Sequence, residues 1–306
     1  MPLGFGLGLQ GMKSGGAGGG GAKEIVVLTW NISASAITRL AYPLGDSVVA
    51  TLNISANRPP AASSNSIAGV DFDPIRNLYF YPDTDHTVDM VNSVEPNGDN
   101  VGPWGTGSLA AWGRGITVID GHVYLTTYSN TAVNRRVLHW DESDVLQDDF
   151  HTGGVDNYEA YSHFVNTGSE IIILGATGST LYLSKPWTDA TPTLVRAEPS
   201  RQGIWYDHAS ATMYTGYGSN GIYKHENVNL NVPSVDAGVK LIDTGASDHV
   251  APVYDPDTEK VYYGVRVAGA HQVRRCDASD GGNDELLHTF AANHNIVGLN
   301  ICSQPA

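Results

Sequence analysis

The chain has 306 residues and a formal net charge of −15, from 32 Asp and Glu against 17 Lys and Arg. That balance excludes a nucleic-acid backbone or an anionic membrane surface as the main partner, because both reward cationic side chains. No apolar run is long enough to cross a bilayer, and the two cysteines, Cys276 and Cys302, are too few for a disulfide framework, which leaves either one bridge between them or, as the favoured reading, two buried free thiols.

Residues 1–22 form a segment of their own. Leu3, Phe5, Leu7 and Leu9 alternate with glycine, Met12 follows, and the segment ends in the run Gly15-Gly-Ala-Gly-Gly-Gly-Gly-Ala22. The glycine run is a flexible linker by composition, whereas the apolar residues before it are ones a solvated tail does not need. They read as an anchoring arm that meets another chain. The first residues lack a basic start and are broken by glycine, so no secretory signal is expected.

From Lys23 the pattern changes to short strands. With 35 Gly, 15 Tyr and few charged residues, no long stretch places apolar side chains at helical spacing, which predicts an all-β domain over 23–306. A unit recurs in it: an apolar strand runs into Asp and a tight turn, and a second strand carrying Tyr follows. Gly69-Val-Asp-Phe-Asp-Pro-Ile-Arg-Asn-Leu-Tyr-Phe-Tyr81 is one copy, and Ala251-Pro-Val-Tyr-Asp-Pro-Asp-Thr-Glu-Lys-Val-Tyr-Tyr263 is another. Gly203-Ile-Trp-Tyr-Asp207 and Gly115-Ile-Thr-Val-Ile-Asp120 begin further copies, and Asp with Gly suits tight hairpins.

Aligned on this unit, inner strands are predicted at 69–73, 115–119, 163–166, 203–207, 250–255 and 296–301. Second strands fall at 78–81, 123–127, 170–174, 212–217, 260–265 and 24–30. The central residues Tyr79, Tyr124, Ile172, Tyr214 and Tyr262 lie 45, 48, 42 and 48 residues apart, the length of one four-stranded propeller blade. Third strands follow at 88–91, 136–140, 180–183, 221–224, 272–276 and 36–40. The last unit is split between the chain ends, so the expected fold is a six-bladed β-propeller with four-stranded blades, its last blade closed by both termini and preceded by the Gly-rich arm. Such closure removes open sheet edges.

The repeat resembles the YWTD and NHL type of six-bladed propeller over about residues 23–302. Its tyrosine positions read Tyr79-Phe-Tyr-Pro82 and Tyr124-Leu-Thr-Thr127 instead of Tyr-Trp-Thr-Asp, so the resemblance is to repeat grammar and implies no receptor function. The Gly-Leu leader resembles leaders of some tailed-phage virion proteins, which implies a virion component made in the host cytoplasm.

Propellers carry sites around the central channel. The residues before and within the inner strands give a polar ring there that includes Ser66, Arg114, His163, Gln202, Asp248, His249, His294 and Asn295. Imidazoles, a carboxylate and amides in one funnel are chemically able to hold a metal or a small polar ligand, but six similar loops gather such residues without a site. Gluconolactonase-like propellers bind a central metal through an early Glu with Asn and Asp. Here the first inner strand offers Asp71 and Asp73 but no Glu, and no catalytic residue, metal or cofactor is expected. Gly216-Tyr-Gly-Ser-Asn-Gly221 matches a dinucleotide fingerprint in form only, since it joins two strands and opens no helix. The acidic run Asp141-Glu-Ser-Asp144 reads as a solvated turn, and Trp104, Trp112, Trp140, Trp187 and Tyr158 as blade packing or an aromatic surface. The expectation is a non-enzymatic virion protein attached through its arm to other virion proteins, serving in tail or capsid decoration or in adhesion to a host-surface protein or glycan. The alternatives are a metal-dependent lactonase- or lyase-like propeller enzyme, centred on His163, His249 and His294, and a soluble protein-interaction propeller.

Overall fold

The structure is a computed structural model that describes residues 22–31, 33–57, 69–82, 89–106, 112–128, 136–151, 160–166, 171–177, 180–184, 193–197, 201–217, 221–229, 238–245 and 252–305. Among the described residues all regular elements are strands, and they form six antiparallel four-stranded sheets. The terminal sheet runs Asn295–Ser303, Lys23–Trp30, Ala36–Ala41, Val48–Asn53, so the two ends of the domain are paired, with Val26 opposite Asn300. The second sheet begins at Asp71–Asp73, the third at Trp112–Ile119, the fourth at Ala160–Asn166, the fifth at Arg201–Asp207 and the sixth at Val253–Asp255. Each of these inner strands touches the inner strand of the sheet on either side, with the terminal sheet between the sixth and the second. The molecule is an all-β propeller with four-stranded blades.

The predicted strands lie within about three residues of the observed ones. The inner strands of the second and sixth sheets start later than expected, at Asp71 and Val253, while those of the third and fourth start earlier, at Trp112 and Ala160. The early starts have a cause: the ladder is bulged between Gly113 and Ile116 in the third sheet, between Ala160 and His163 in the fourth, and between Arg201 and Ile204 in the fifth. Pairing resumes beyond each bulge and extends the strand. A bulge turns side chains out of the regular alternation, and here three successive sheets have one at the same end of the inner strand.

The sheets stack face to face, so a strand can be apolar on both sides. In Lys23–Trp30, Val26 and Leu28 pack on Phe72, Tyr79 and Tyr81 of the second sheet, whereas Ile25 and Val27 pack on Val253, Tyr262 and Val273 of the sixth. This is why the strand reads as an unbroken Ile-Val-Val-Leu run and not as an alternation. Phe80 and Val91 meet Leu125 and Trp140 of the third sheet, and Tyr214 and Ile222 meet Val261 and Tyr263 across the fifth and sixth. Trp104 lies edge-on to Phe80 and Trp140, so these two tryptophans pack between blades; Trp187, Tyr158 and the side chain of Trp112 lie outside the described residues.

The recurring aspartate has a local task. Asp73, Asp207 and Asp255 each accept a backbone N–H two residues on, from Ile75 (2.8 Å), Ala209 (3.2 Å) and Asp257 (3.4 Å). It is a side-chain cap that fixes the turn between the first two strands of a blade. Asp120-Gly121 turns by backbone instead, with φ of 51° and 77°, as a type I′ hairpin needs. The two Asn-Ile-Ser sequences use the same chemistry, since Asn31 and Asn53 each accept the N–H and hydroxyl of the serine two residues on. Cys276 and Cys302 are buried free thiols, and burial pushes the pKa of each up, that of Cys276 to about 12. Such thiols are poor nucleophiles.

Candidate functional site

The sequence places its ring of polar residues at the inner strands, and the structure describes part of it. Arg114 stands on the bulge of the third sheet with 8% of its surface exposed, and its backbone carbonyl accepts the Gly69 N–H at 2.8 Å. His163 follows the bulge of the fourth sheet, its ring 4.5 Å from that of Trp205 in the fifth. Burial pushes the His163 pKa down to about 4, against a hydrogen bond with the Tyr206 backbone, so the imidazole is neutral at physiological pH. Asn295 opens the inner strand of the terminal sheet opposite Trp30. Gln202 lies on the bulge of the fifth sheet, where only its backbone is described, and Ser66, Asp248 and His249 lie outside the described residues, as do Leu3, Phe5, Leu7, Leu9 and Met12 of the arm. His294 stands apart from the strand register, on the segment leaving the sixth sheet, beside the outer strands of the terminal sheet.

The acids offered by the second sheet's inner strand are engaged in the fold. Asp71 accepts hydrogen bonds from the Val118 N–H (2.8 Å) and Thr117 hydroxyl (3.1 Å) of the third sheet, and from the Asn300 amide (3.0 Å) and Cys302 thiol (3.5 Å) of the terminal sheet. Its own Phe72 N–H adds a fifth (2.9 Å). Burial pushes its pKa up while these bonds pull the other way. A carboxylate has about four lone-pair sites, so Asp71 joins three sheets and has none left for a metal. Asp73 caps its turn and pairs with Arg76, which reaches on to Asp144 at 2.7 Å. Among the described residues no group of three or more His, Cys, Asp and Glu is arranged to hold a metal ion. The Asp141–Asp144 run is a capped turn, with Asp141 accepting the Ser143 and Val145 N–H groups.

Two buried constellations that the sequence reading did not single out lie on either side of the terminal sheet. Toward the second sheet, Glu24, with none of its surface exposed, accepts the Arg39 guanidinium (Nε to Oε2, 2.8 Å) and the Tyr79 hydroxyl. Toward the sixth, Asp255 accepts Lys23 Nζ at 2.9 Å, the Tyr42 hydroxyl at 2.7 Å and the Thr258 hydroxyl at 2.6 Å. Burial pushes the Asp255 pKa up, but Lys23, Thr258 and Tyr42 outweigh it and hold the carboxyl below its ordinary value. A depressed folded pKa contributes stability that is present above the unfolded value of about 3.9 and is lost as pH falls through the folded one. Asp255→Asn is therefore expected to lower the unfolding free energy by about 2 kcal/mol at pH 7, through the lost charge-assisted bonds. The loss shrinks in acid, as urea melts at pH 7 and pH 3 would register; an equal loss at both would remove Lys23 from the account.

The same flank holds a cleft of about 360 Å³ between the terminal and sixth sheets. Thr38, Thr51 and Asn53 line one wall and His288, Thr289 and His294 the other, with Phe290 beside them. Thr38 and Thr51 face each other across the strand pair and Asn53 stands opposite Ala36, one repeat further along the same face. His288 lies edge-on to Phe290 at 4.6 Å, and burial lowers its pKa. Sequence reading missed all of these but His294; the available signal was the alternation of small polar residues along Ala36–Ala41 and Val48–Asn53.

No family model matches the chain, and no curated protein matches it by sequence. By shape it is similar to many solved proteins. A chain in the crystal structure of a nidogen/laminin complex superposes with a TM-score of 0.64 at 12% identity, over 93% of this chain and 100% of the other. A putative TolB from Agrobacterium tumefaciens gives 0.56 at 13%, over 94% and 100%. TolB from Acinetobacter baumannii gives 0.57 at 10%, over 90% of this chain and 66% of that one. At such identities the likeness carries the fold and defines the class, that of β-propellers.

Proposed function

We propose that the chain is a non-enzymatic six-bladed propeller, carried as a displayed binding module on a larger assembly, a tailed-phage virion, and held there by its arm. One observation supports the non-enzymatic part above others: among the described residues, Glu24, Asp73 and Asp255, the acids buried in the blades, and half-buried Asp71 are already bound by donors that join blades or fix turns. A carboxylate placed to do acid–base work or to ligate a metal needs an open lone pair toward the channel. The attachment rests on Leu3, Phe5, Leu7, Leu9 and Met12 ahead of the glycine linker, a composition suited to lying in a groove of another chain. The loops then face outward for decoration of tail or capsid, or for adhesion to a host-surface protein or glycan.

The test is co-purification of the full chain, and of a chain lacking residues 1–22, with particles from the source. The full chain is expected to enter the assembly and the shortened one to stay free, while both give the same β-type circular dichroism and the same melting temperature. Equal behaviour of two folded chains, whether both enter or both stay free, would overturn the anchoring role.

A further inference from the structure

The cleft between the terminal and sixth sheets is large enough for a small organic ligand, and its chemistry is selective. None of its lining residues is Asp, Glu, Lys or Arg, although the chain carries a net charge of −15. An anion finds no cation there and repulsion from the protein as a whole; a cation finds no carboxylate. What the cleft does offer is hydroxyls, a carboxamide, imidazoles and one apolar wall. Thr29 and Ser35 donate their hydroxyls to backbone carbonyls within the fold. The hydroxyl of Thr38 has no hydrogen-bond partner among the described residues, and its cross-strand neighbour Thr51 lies opposite it on the same face. Asn53 binds Ser55 through its carbonyl oxygen, which leaves its NH₂ donors for the cleft. The Nδ1 of His294 is buried without a partner, so what that ring offers a ligand is Nε2. His288 and Phe290 supply an aromatic edge and face at 4.6 Å from one another.

We infer that this cleft binds a neutral saccharide, one or two sugar residues of a glycan, with Thr38, Thr51, Asn53 and His294 bonding its hydroxyls and Phe290 against its C–H face. A hydroxyl that lines the cleft without a partner in the protein is free to bond a sugar hydroxyl; an aromatic ring offers apolar area to the less polar face of a pyranose. The inference rests on the adhesion side of the proposed function and is independent of the arm.

The experiment is saturation-transfer NMR on the full chain with lactose, maltose, cellobiose and chitobiose, and with sialic acid and glucosamine as charged comparators. At least one neutral disaccharide is expected to receive saturation, unchanged by 0.5 M salt, a condition that screens charge to about 4 Å. Thr51→Trp, on an exposed strand position, fills the cleft and abolishes the transfer. Thr38→Val, similar in shape but lacking the hydroxyl, weakens binding by about 5-fold. Thermal unfolding of each variant confirms that the fold is kept. Transfer to no neutral disaccharide, transfer only to a charged sugar, or undiminished transfer in folded Thr51→Trp would each overturn the site. Entry into the assembly is scored on the same chains, so loss of sugar binding with entry intact counts against the cleft alone, and the reverse against the arm alone.

Discussion

Replacing Arg39 with alanine lowers the unfolding free energy at pH 7 by about 3–5 kcal/mol, as expected when one member of a buried ion pair is removed. Glu24 has no exposed surface, and its partners are Arg39 Nε and the Tyr79 hydroxyl. Arg39 also donates to the Pro96 carbonyl at 3.2 Å and lies over the Tyr79 ring at 5.8 Å, so the cluster ties the terminal sheet to the second. Without the guanidinium, Glu24 has one neutral donor and no counter-charge. The sign of its pH dependence checks this account. Burial raises the Glu24 pKa despite Arg39, so the folded state favours the protonated form. The contribution of Glu24 is fully present below the unfolded value of about 4.3 and is lost as pH rises through the folded one. The Arg39→Ala loss is therefore smaller at pH 4 than at pH 7. Glu24→Leu with Arg39→Leu recovers much of it, because removing both charges leaves neither stranded. Urea midpoints for the three proteins at the two pH values measure the effect. A pH-independent loss would mean that Arg39 acts through its packing on Tyr79 alone.

The parts of the fold legible in sequence are those set by local chemistry. The turn aspartates at Asp73, Asp207 and Asp255 mark where each blade's first hairpin bends, because the Asx cap is made within two residues of the chain. The apolar run of Lys23–Trp30 and its pairing with Asn295–Ser303 followed from the need to close the last unit. Less legible are contacts between side chains far apart in the chain. Asp71 reads only as an acid that the first inner strand offers until Val118 and Asn300, 47 and 229 residues away, are seen to bond it. The signal for Glu24 and Arg39 was available: a charge on each of two paired strands that are otherwise buried is either partnered or severely destabilising. The cleft had no motif, since Thr38 and His288 are brought together by the packing of two sheets and not by any spacing. His294 entered the reading as a channel residue by its place before an inner strand, yet it stands with the outer strands of the terminal sheet because the segment after Phe290 turns back at Ala291, whose carbonyl accepts the His294 N–H at 3.1 Å.

Gly221→Ala is expected to cost at least about 3 kcal/mol, a size reached only by a clash with backbone or severe strain. Gly221 ends the sequence that imitates a nucleotide-binding loop, and its place in the fold gives the glycine another reason. It pairs with Tyr217 across the hairpin and has φ of +117°, a conformation L side chains rarely adopt. A Cβ there would sit 1.8 Å from the Ile242 carbonyl oxygen and 2.9 Å from its carbon. Those are backbone atoms of Val239–Ile242, the next strand of the same sheet, held in register by the pairing of Ile222 with Ile242. They cannot rotate aside as a side chain would. Gly245→Ala separates the two causes: φ there is +55° with nothing within 4 Å of the added carbon, so it carries strain of about 1 kcal/mol and no clash. Denaturant melts of the two variants should differ by about 2 kcal/mol or more. If Gly221→Ala melts with Gly245→Ala, the outer strand yields to the methyl group, the close approach is not needed for the blade, and the glycine would require an explanation outside the hairpin.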